Sequence, residues 1–107
     1  MLGSYDATRQ LLTIVQYTKP EGATDYVNSM WELQAEPFKG DVVNSYNDGP
    51  PSPGVKQLGP FYELESSSPA LALKPGESAA HIHRTIHLQG GEAAVRAFGQ
   101  ALLGAIE

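Results

Sequence analysis

The sequence contains no cysteine among its 107 residues. This absence excludes a disulfide framework, a thiolate metal site and a cysteine nucleophile, although it assigns no cellular compartment. No apolar run approaches the length of a membrane span. The N-terminus lacks a basic segment followed by an apolar one, so no secretory signal is visible and the cytoplasm is the default location.

Basic residues are also scarce. Seven Lys and Arg stand against twelve Asp and Glu, which gives a net charge of −5. That balance argues against a nucleic-acid backbone or an anionic membrane as the main partner. The length predicts a single domain over residues 1–107, with a core thin enough that a partner subunit would add stability.

Short apolar and β-branched runs separated by turn residues predict strands. The predicted strands cover residues 11–17, 25–34, 41–49, 61–66 and 79–88. The segment "KPGE" predicts a turn, because Pro75 presets one backbone dihedral and Gly76 supplies the unusual one. We therefore expect an antiparallel β-sheet region over residues 1–90.

The hydrophobic period changes in residues 91–106, which predict an amphipathic helix. Four apolar side chains fall on one stripe of this helix: Val95, Phe98, Leu102 and Ile106. Gly99 and Gly104 weaken it. The expected fold class is mainly β, an antiparallel β-sandwich with one C-terminal α-helix.

Acidic and imidazole side chains are concentrated in one polar segment. Strand alternation places Glu63 and Glu65 on one face of a predicted strand, and His81, His83 and His87 on one face of the next. If these strands are neighbours, two carboxylates and three imidazoles converge on one concave surface.

Such a surface suits three chemistries. Histidine and glutamate near neutral pKa exchange protons in general acid–base catalysis. A His-x-His pair with a nearby glutamate suits zinc, iron or manganese, and polar groups beside an aromatic ring suit a sugar. The alternative is a solvated sheet face on which Glu63 pairs with Arg84 or a lysine.

Other polar and aromatic residues give weaker signals. Asn44, Asn47 and Asp48 are more typical of a turn than of the rim of a ligand site. Trp31 falls on the apolar face of its predicted strand, which favours the core over a sugar-stacking platform.

Two segments, "GDVVNSYNDGP" and "LGPFYELESSSPALALKPGESAAHIHRTIHLQG", resemble the C-terminal part of galactose-mutarotase-like domains, closest to an uncharacterised bacterial family of that fold. In the related aldose 1-epimerases a glutamate precedes a proline and a Pro-Gly-Glu turn, as in "ELESSSP" and "LKPGES" here. The resemblance implies half of a β-supersandwich that binds a carbohydrate. It places Glu65, or less favourably Glu63, at the position of the catalytic base.

The resemblance also implies a division of roles. Glu65 acts as base, His81 or His83 as acid partner, and no cofactor is needed. The family's catalytic histidines lie upstream of the matching region, so the histidines here are not those residues. A half domain exposes sheet edges, so we expect a homodimer. The remaining ligand-binding candidates are His87, Arg84, Asn44, Asn47 and Asp48.

Two alternatives remain open. The segment "PGESAAHIH" is similar to the first metal motif of cupins, with His87 near the later ligand position, which implies a divalent metal at His81 and His83. The other alternative is a non-catalytic structural or interaction module.

Overall fold

A computed structural model describes residues 1–104 of the protein. This part contains β1 (Leu2–Asp6), β2 (Leu11–Tyr17), β3 (Val43–Asn47), β4 (Tyr62–Ser66), β5 (His83–Gln89) and α1 (Glu92–Leu103). The strands form two sheets, and all strand pairs are antiparallel. The expected class, mainly antiparallel β with one C-terminal helix, is confirmed. No helix within residues 1–104 is long and apolar enough to cross a membrane.

The chain divides into two compact units. The terminal unit consists of Met1–Thr18 and the chain from Ile82 onward, and it holds the three-stranded sheet β1-β2-β5 with α1. The central unit, Lys19–His81, holds the two-stranded sheet β3-β4.

The core of the terminal unit forms between β2 and α1. Leu12 and Ile14 of β2 and Val95 of α1 are buried together, because alternate residues of a strand point to the same face. Four partly buried side chains complete this cluster: Tyr5, Ile86, Leu88 and Leu102. On β5 the expected alternation holds for Ile86, which is half-buried, and His87, which is exposed.

Strand β1 was not predicted from the sequence, because Gly3 and Ser4 interrupt the β-branched pattern there. Its turn into β2 is organised by Asp6, whose Oδ1 accepts the backbone N–H groups of Thr8 at 2.9 Å and Arg9 at 3.0 Å. The Arg9 guanidinium also donates to Asp6 Oδ2 at 2.7 Å. The backbone bond from Arg9 is the main cause of the lowered pKa of Asp6.

The packed face of α1 differs from the predicted stripe. Val95 and Gly99 are buried, whereas Phe98 is 44% exposed. A Cβ on Gly99 would lie 3.5 Å from Leu12 Cδ2, an ordinary van der Waals distance, so this position of the helix faces β2. The prediction for Phe98 was therefore wrong, and Ile106 lies outside the described residues.

Residues 25–34 do not form the predicted strand. Instead, Tyr26 makes a parallel bridge with Lys39, and the backbone N–H groups of Tyr26 and Asn28 donate to the carbonyls of Phe38 at 3.0 Å and Pro37 at 2.8 Å. Two segments that run in the same direction require the chain to loop back between them, and residues 29–36 form this connecting loop. Because Trp31 lies on this loop and is 90% exposed, its predicted core position is wrong.

The predicted turn before β5 is confirmed. The N–H of Glu77 donates to the carbonyl of Lys74 at 3.0 Å, and Gly76 has a φ of 88°. That left-handed conformation favours glycine.

The close approach at Gly40 gives a test of the loop that carries Trp31. A Cβ at Gly40 would overlap the backbone carbonyl of Val27, whereas a Cβ at Gly49 would meet nothing within 4 Å. We expect Gly40→Ala to lower the free energy of unfolding by about 1–3 kcal/mol, the usual cost of overpacking. Gly49→Ala is the matched control, with a change within about 0.5 kcal/mol.

Urea unfolding of both variants, followed by the fluorescence of Trp31, measures the difference. Trp31 is the only tryptophan in the sequence, so the signal reports on this loop. Equal stability of the two alanine variants would show that the segments at Val27 and Gly40 do not pack as described.

Candidate functional site

One face of the β3-β4 sheet carries most of the functional side chains of the central unit. The register pairs Asn44 with Glu65 and Tyr46 with Glu63. Because directly opposite residues of an antiparallel pair point to the same face, these four side chains lie together. Phe61, directly before β4, continues the alternation of Glu63 and Glu65.

A cleft of about 350 Å³ lies against this face. Its lining consists of three aromatic rings, two carboxyl groups, one amide, two serines and one leucine, namely Trp31, Tyr46, Phe61, Glu63, Glu65, Asn44, Ser29, Ser45 and Leu58. All nine belong to the central unit. Within the part of the chain that the structure describes, no basic side chain lines this cleft.

Three aromatic side chains form one wall of the cleft, which we call the aromatic wall: Trp31, Tyr46 and Phe61. The rings of Trp31 and Tyr46 stack with centroids 5.9 Å apart and planes 11° apart. Phe61 follows at 5.8 Å from Tyr46, with its plane tilted by 37°. The indole is nonetheless 90% exposed, so a large ring is held in place without being covered.

Asp48 fixes the Tyr46 ring of the aromatic wall through hydrogen bonds. The Tyr46 hydroxyl donates to Asp48 Oδ1 at 2.9 Å, and the backbone N–H of Gly59 donates to Asp48 Oδ2 at 2.6 Å. The bond from Gly59 is the largest cause of a lowered Asp48 pKa, and the bond to Asp48 raises the pKa of the Tyr46 phenol. Asp48 therefore stays ionised and Tyr46 stays neutral around neutral pH, which fixes the ring.

Glu63 and Glu65 form a carboxyl pair in the same cleft. The amide of Asn44 donates from Nδ2 to Glu65 Oε2 at 3.0 Å. The pKa of Glu63 is raised, first by its hydrogen bond to Glu65, then by partial desolvation and by repulsion from the Glu65 charge. Glu63 therefore takes up a proton more readily than an isolated glutamate does, and the amide of Asn44 holds the Glu65 side chain.

The carboxyl pair places two carboxyl groups side by side in the cleft, and the pKa of one of them, Glu63, is raised. Two neighbouring carboxyl groups whose environments separate their pKa values are the arrangement that proton-transfer sites use. The same groups accept hydrogen bonds from ligand hydroxyls. The aromatic wall adds apolar ring faces.

His81 lies elsewhere in the central unit. Its Nε2 is 2.9 Å from the Ser66 hydroxyl, and strand alternation puts Ser66 on the face of β4 opposite Glu65. His81 lines a second cavity, of about 440 Å³, with Leu71 and Leu73 among its walls. His81 therefore does not converge with Glu63 and Glu65 on the cleft face of β4, contrary to the prediction from the sequence.

The other histidines belong to the terminal unit, where β5 pairs with β2 and not with β4. His87 Nδ1 is 3.0 Å from the Thr13 hydroxyl, its register partner. His83 Nε2 is 3.3 Å from the Thr85 hydroxyl. Arg84 also lies on this strand and is exposed. His83, Arg84 and His87 therefore belong to the three-stranded sheet, because all three lie on β5.

The metal alternative named His81 and His83, which belong to different units of the chain. Among residues 1–104 there is no group of three or more His, Cys, Asp or Glu positioned to hold a metal ion. The two proposed ligands, His81 and His83, bond to the hydroxyls of Ser66 and Thr85 instead.

The three residues that the sequence assigned to a turn do not all lie on the same face of β3. Asn44 and Asp48 belong to the cleft face, whereas Asn47 is exposed and lies on the opposite face of β3. Tyr46 was not identified from the sequence as a site residue. The signal was the shared parity of Asn44, Tyr46 and Asp48, which a strand prediction for residues 41–49 already contained.

These features define a small antiparallel β protein with an acidic cleft and an aromatic wall. Residues 1–106 match a family of unknown function, DUF6786, and the chain belongs to that family. Searches of the curated proteins and of the solved structures returned no match. The likeness to mutarotase-like domains and the homodimer that it implies stay predictions.

The carboxyl pair predicts a specific pH dependence of stability. A carboxyl whose pKa is raised in the folded state stabilises the fold fully below its unfolded value of 4.5, and this contribution is lost as pH rises through the folded pKa. Glu63→Gln removes the titrating group. The variant should therefore gain stability relative to the wild type as pH rises from about 4.5 towards neutrality.

Urea unfolding midpoints across that pH window measure the effect, with exposed Glu21→Gln as the control for losing one negative charge. The contribution of Asp48 has the opposite sign but is common to all three proteins, so it cancels in the comparison. Identical pH profiles for Glu63→Gln and Glu21→Gln would contradict the raised pKa of Glu63 in the folded state.

Proposed function

We propose that the protein binds a carbohydrate in the cleft of the central unit. The observation that carries this proposal is the exposed indole of Trp31, stacked on Tyr46 in the wall of a cleft that also contains two carboxyl groups. The C–H face of a pyranose ring is apolar and covers an aromatic face of this size. Its hydroxyls donate to carboxylate oxygens, which are strong acceptors.

The electrostatics of the cleft support a neutral or cationic ligand. Among the described residues, its only ionisable groups besides Tyr46 are Glu63 and Glu65. A phosphate or carboxylate on the ligand would meet these acids without a compensating lysine or arginine, at an unfavourable Coulomb energy. Nucleotides and phosphorylated sugars therefore fit less well than plain sugars.

Calorimetric titration with D-glucose, D-galactose and D-mannose tests the proposal. We expect Trp31→Ala to weaken the affinity of the best of these sugars about two- to tenfold, since a stacking contact contributes about 0.5–1.5 kcal/mol. Leu33→Ala is the matched control, because Leu33 is exposed on the same loop but does not line the cleft. Absence of binding, or equal loss in both variants, would rule the proposal out.

A second candidate function is proton transfer of the mutarotase type, favoured by the hydrogen bond between Glu63 and Glu65. Glu65 would take the proton from the sugar O1 hydroxyl while Glu63 gives its proton to the ring oxygen. The C1–O5 bond then breaks and C1 becomes an aldehyde. Reclosure on the other face of C1 reverses both transfers. In this scheme Glu63 replaces the histidine acid expected from the sequence.

Polarimetry of freshly dissolved α-D-glucose and α-D-galactose measures this reaction. Loss of either proton-transfer group, in Glu63→Gln or Glu65→Gln, should reduce the catalysed rate about 100-fold or more. Exposed Glu77→Gln should leave it unchanged. A wild-type rate equal to that of the buffer would exclude catalysis and leave sugar binding as the function.

A further inference from the structure

We infer that the ligand of the cleft is an amino sugar, whose ammonium group binds between the carboxyl pair, Glu63 and Glu65, and the aromatic wall. This inference rests on the proposed carbohydrate-binding function and specifies its ligand class. It begins from the balance of hydrogen-bond donors and acceptors in the cleft.

Acceptors exceed donors around the carboxyl pair. Among the described residues, its four oxygens meet one amide donor, from Asn44. The Tyr46 hydroxyl across the sheet donates to Asp48 and is already used. A sugar hydroxyl brings one hydrogen, whereas an ammonium brings three and a positive charge. An ammonium therefore satisfies more of these oxygens than a hydroxyl does.

The aromatic wall points to a ligand independently of the acids. An indole that is 90% exposed yet held at 5.9 Å from a second ring offers an open face within the cleft. Ring faces attract cations through their quadrupole, and tryptophan does so most strongly. A sugar ring carrying an ammonium can cover the ring with its C–H face and place its charge at the carboxyl pair.

The charge of the central unit acts in the same direction. Lys19–His81 contains nine acidic and four basic residues, so this unit carries the entire net charge of −5. A cationic ligand is attracted to this surface, and its encounter rate rises accordingly. A neutral sugar gains nothing from the field.

Proton linkage distinguishes the two ligand types. The pKa of Glu63 is raised, and an ammonium beside this carboxyl favours its ionised form, so binding is coupled to release of a proton from Glu63. The affinity for an amino sugar should therefore rise with pH until both carboxyls are ionised, and fall again where the ligand amine loses its proton. The groups that face Glu63 are Glu65 on its own strand and Tyr46 on β3, backed by Asp48.

Calorimetry with D-glucosamine, D-glucose and N-acetyl-D-glucosamine between about pH 4.5 and about pH 7 tests the inference. We expect D-glucosamine to bind about tenfold more tightly than the two neutral sugars near neutral pH, a difference that shrinks towards pH 4.5. Glu63→Gln should reduce this preference to about threefold or less, and Glu77→Gln should preserve it.

Equal affinity for D-glucosamine and D-glucose would overturn the amino-sugar inference and leave carbohydrate binding intact. Binding of none of the three sugars would overturn both. Tetramethylammonium chloride is the remaining probe, because it carries the charge without the sugar ring. If it bound as tightly as D-glucosamine, the sugar ring would contribute nothing and the ligand class would be wrong.

Discussion

The register of the β3-β4 pair is the constraint on which the candidate site depends. It sets Asn44 opposite Glu65 and Tyr46 opposite Glu63, so an amide, a phenol and two carboxyls share one face. A slip by one residue would turn the side chains of the slipped strand to the other side of the sheet and separate the carboxyls from the amide and the phenol. Two-stranded sheets are only marginally stable in water, so contacts outside the strands must support this pairing.

Two such contacts hold the walls of the cleft. Asp48 fixes Tyr46 through its hydroxyl and ties Gly59 to the end of β3. The backbone contact of Gly40 with Tyr26 and Val27 closes the loop that carries Trp31. Both contacts anchor the backbone segments that carry Tyr46 and Trp31, and anchored segments lower the ordering cost of binding.

Local patterns in the sequence predicted which segments form strands and the helix better than they predicted which strands pair with each other. The β-branched run of β2 and the apolar stripe of α1 identified those elements, and strand alternation paired Glu63 with Glu65. The alternation around Trp31 predicted a strand that the structure does not contain, because the parallel bridge at Tyr26 requires the chain to loop back. The partner of β4 is β3 and that of β5 is β2, pairings set by contacts distant in the sequence. The histidines therefore did not join the carboxyl pair on its strand face.

The central claim is that sugars bind against Trp31. As the only tryptophan, it makes the intrinsic fluorescence of the wild-type protein a direct report on the cleft. Titration with D-glucosamine and with D-glucose should produce a saturable change in its emission, at lower concentration for D-glucosamine. An emission spectrum unaffected by either sugar up to saturation of their solubility would contradict the account.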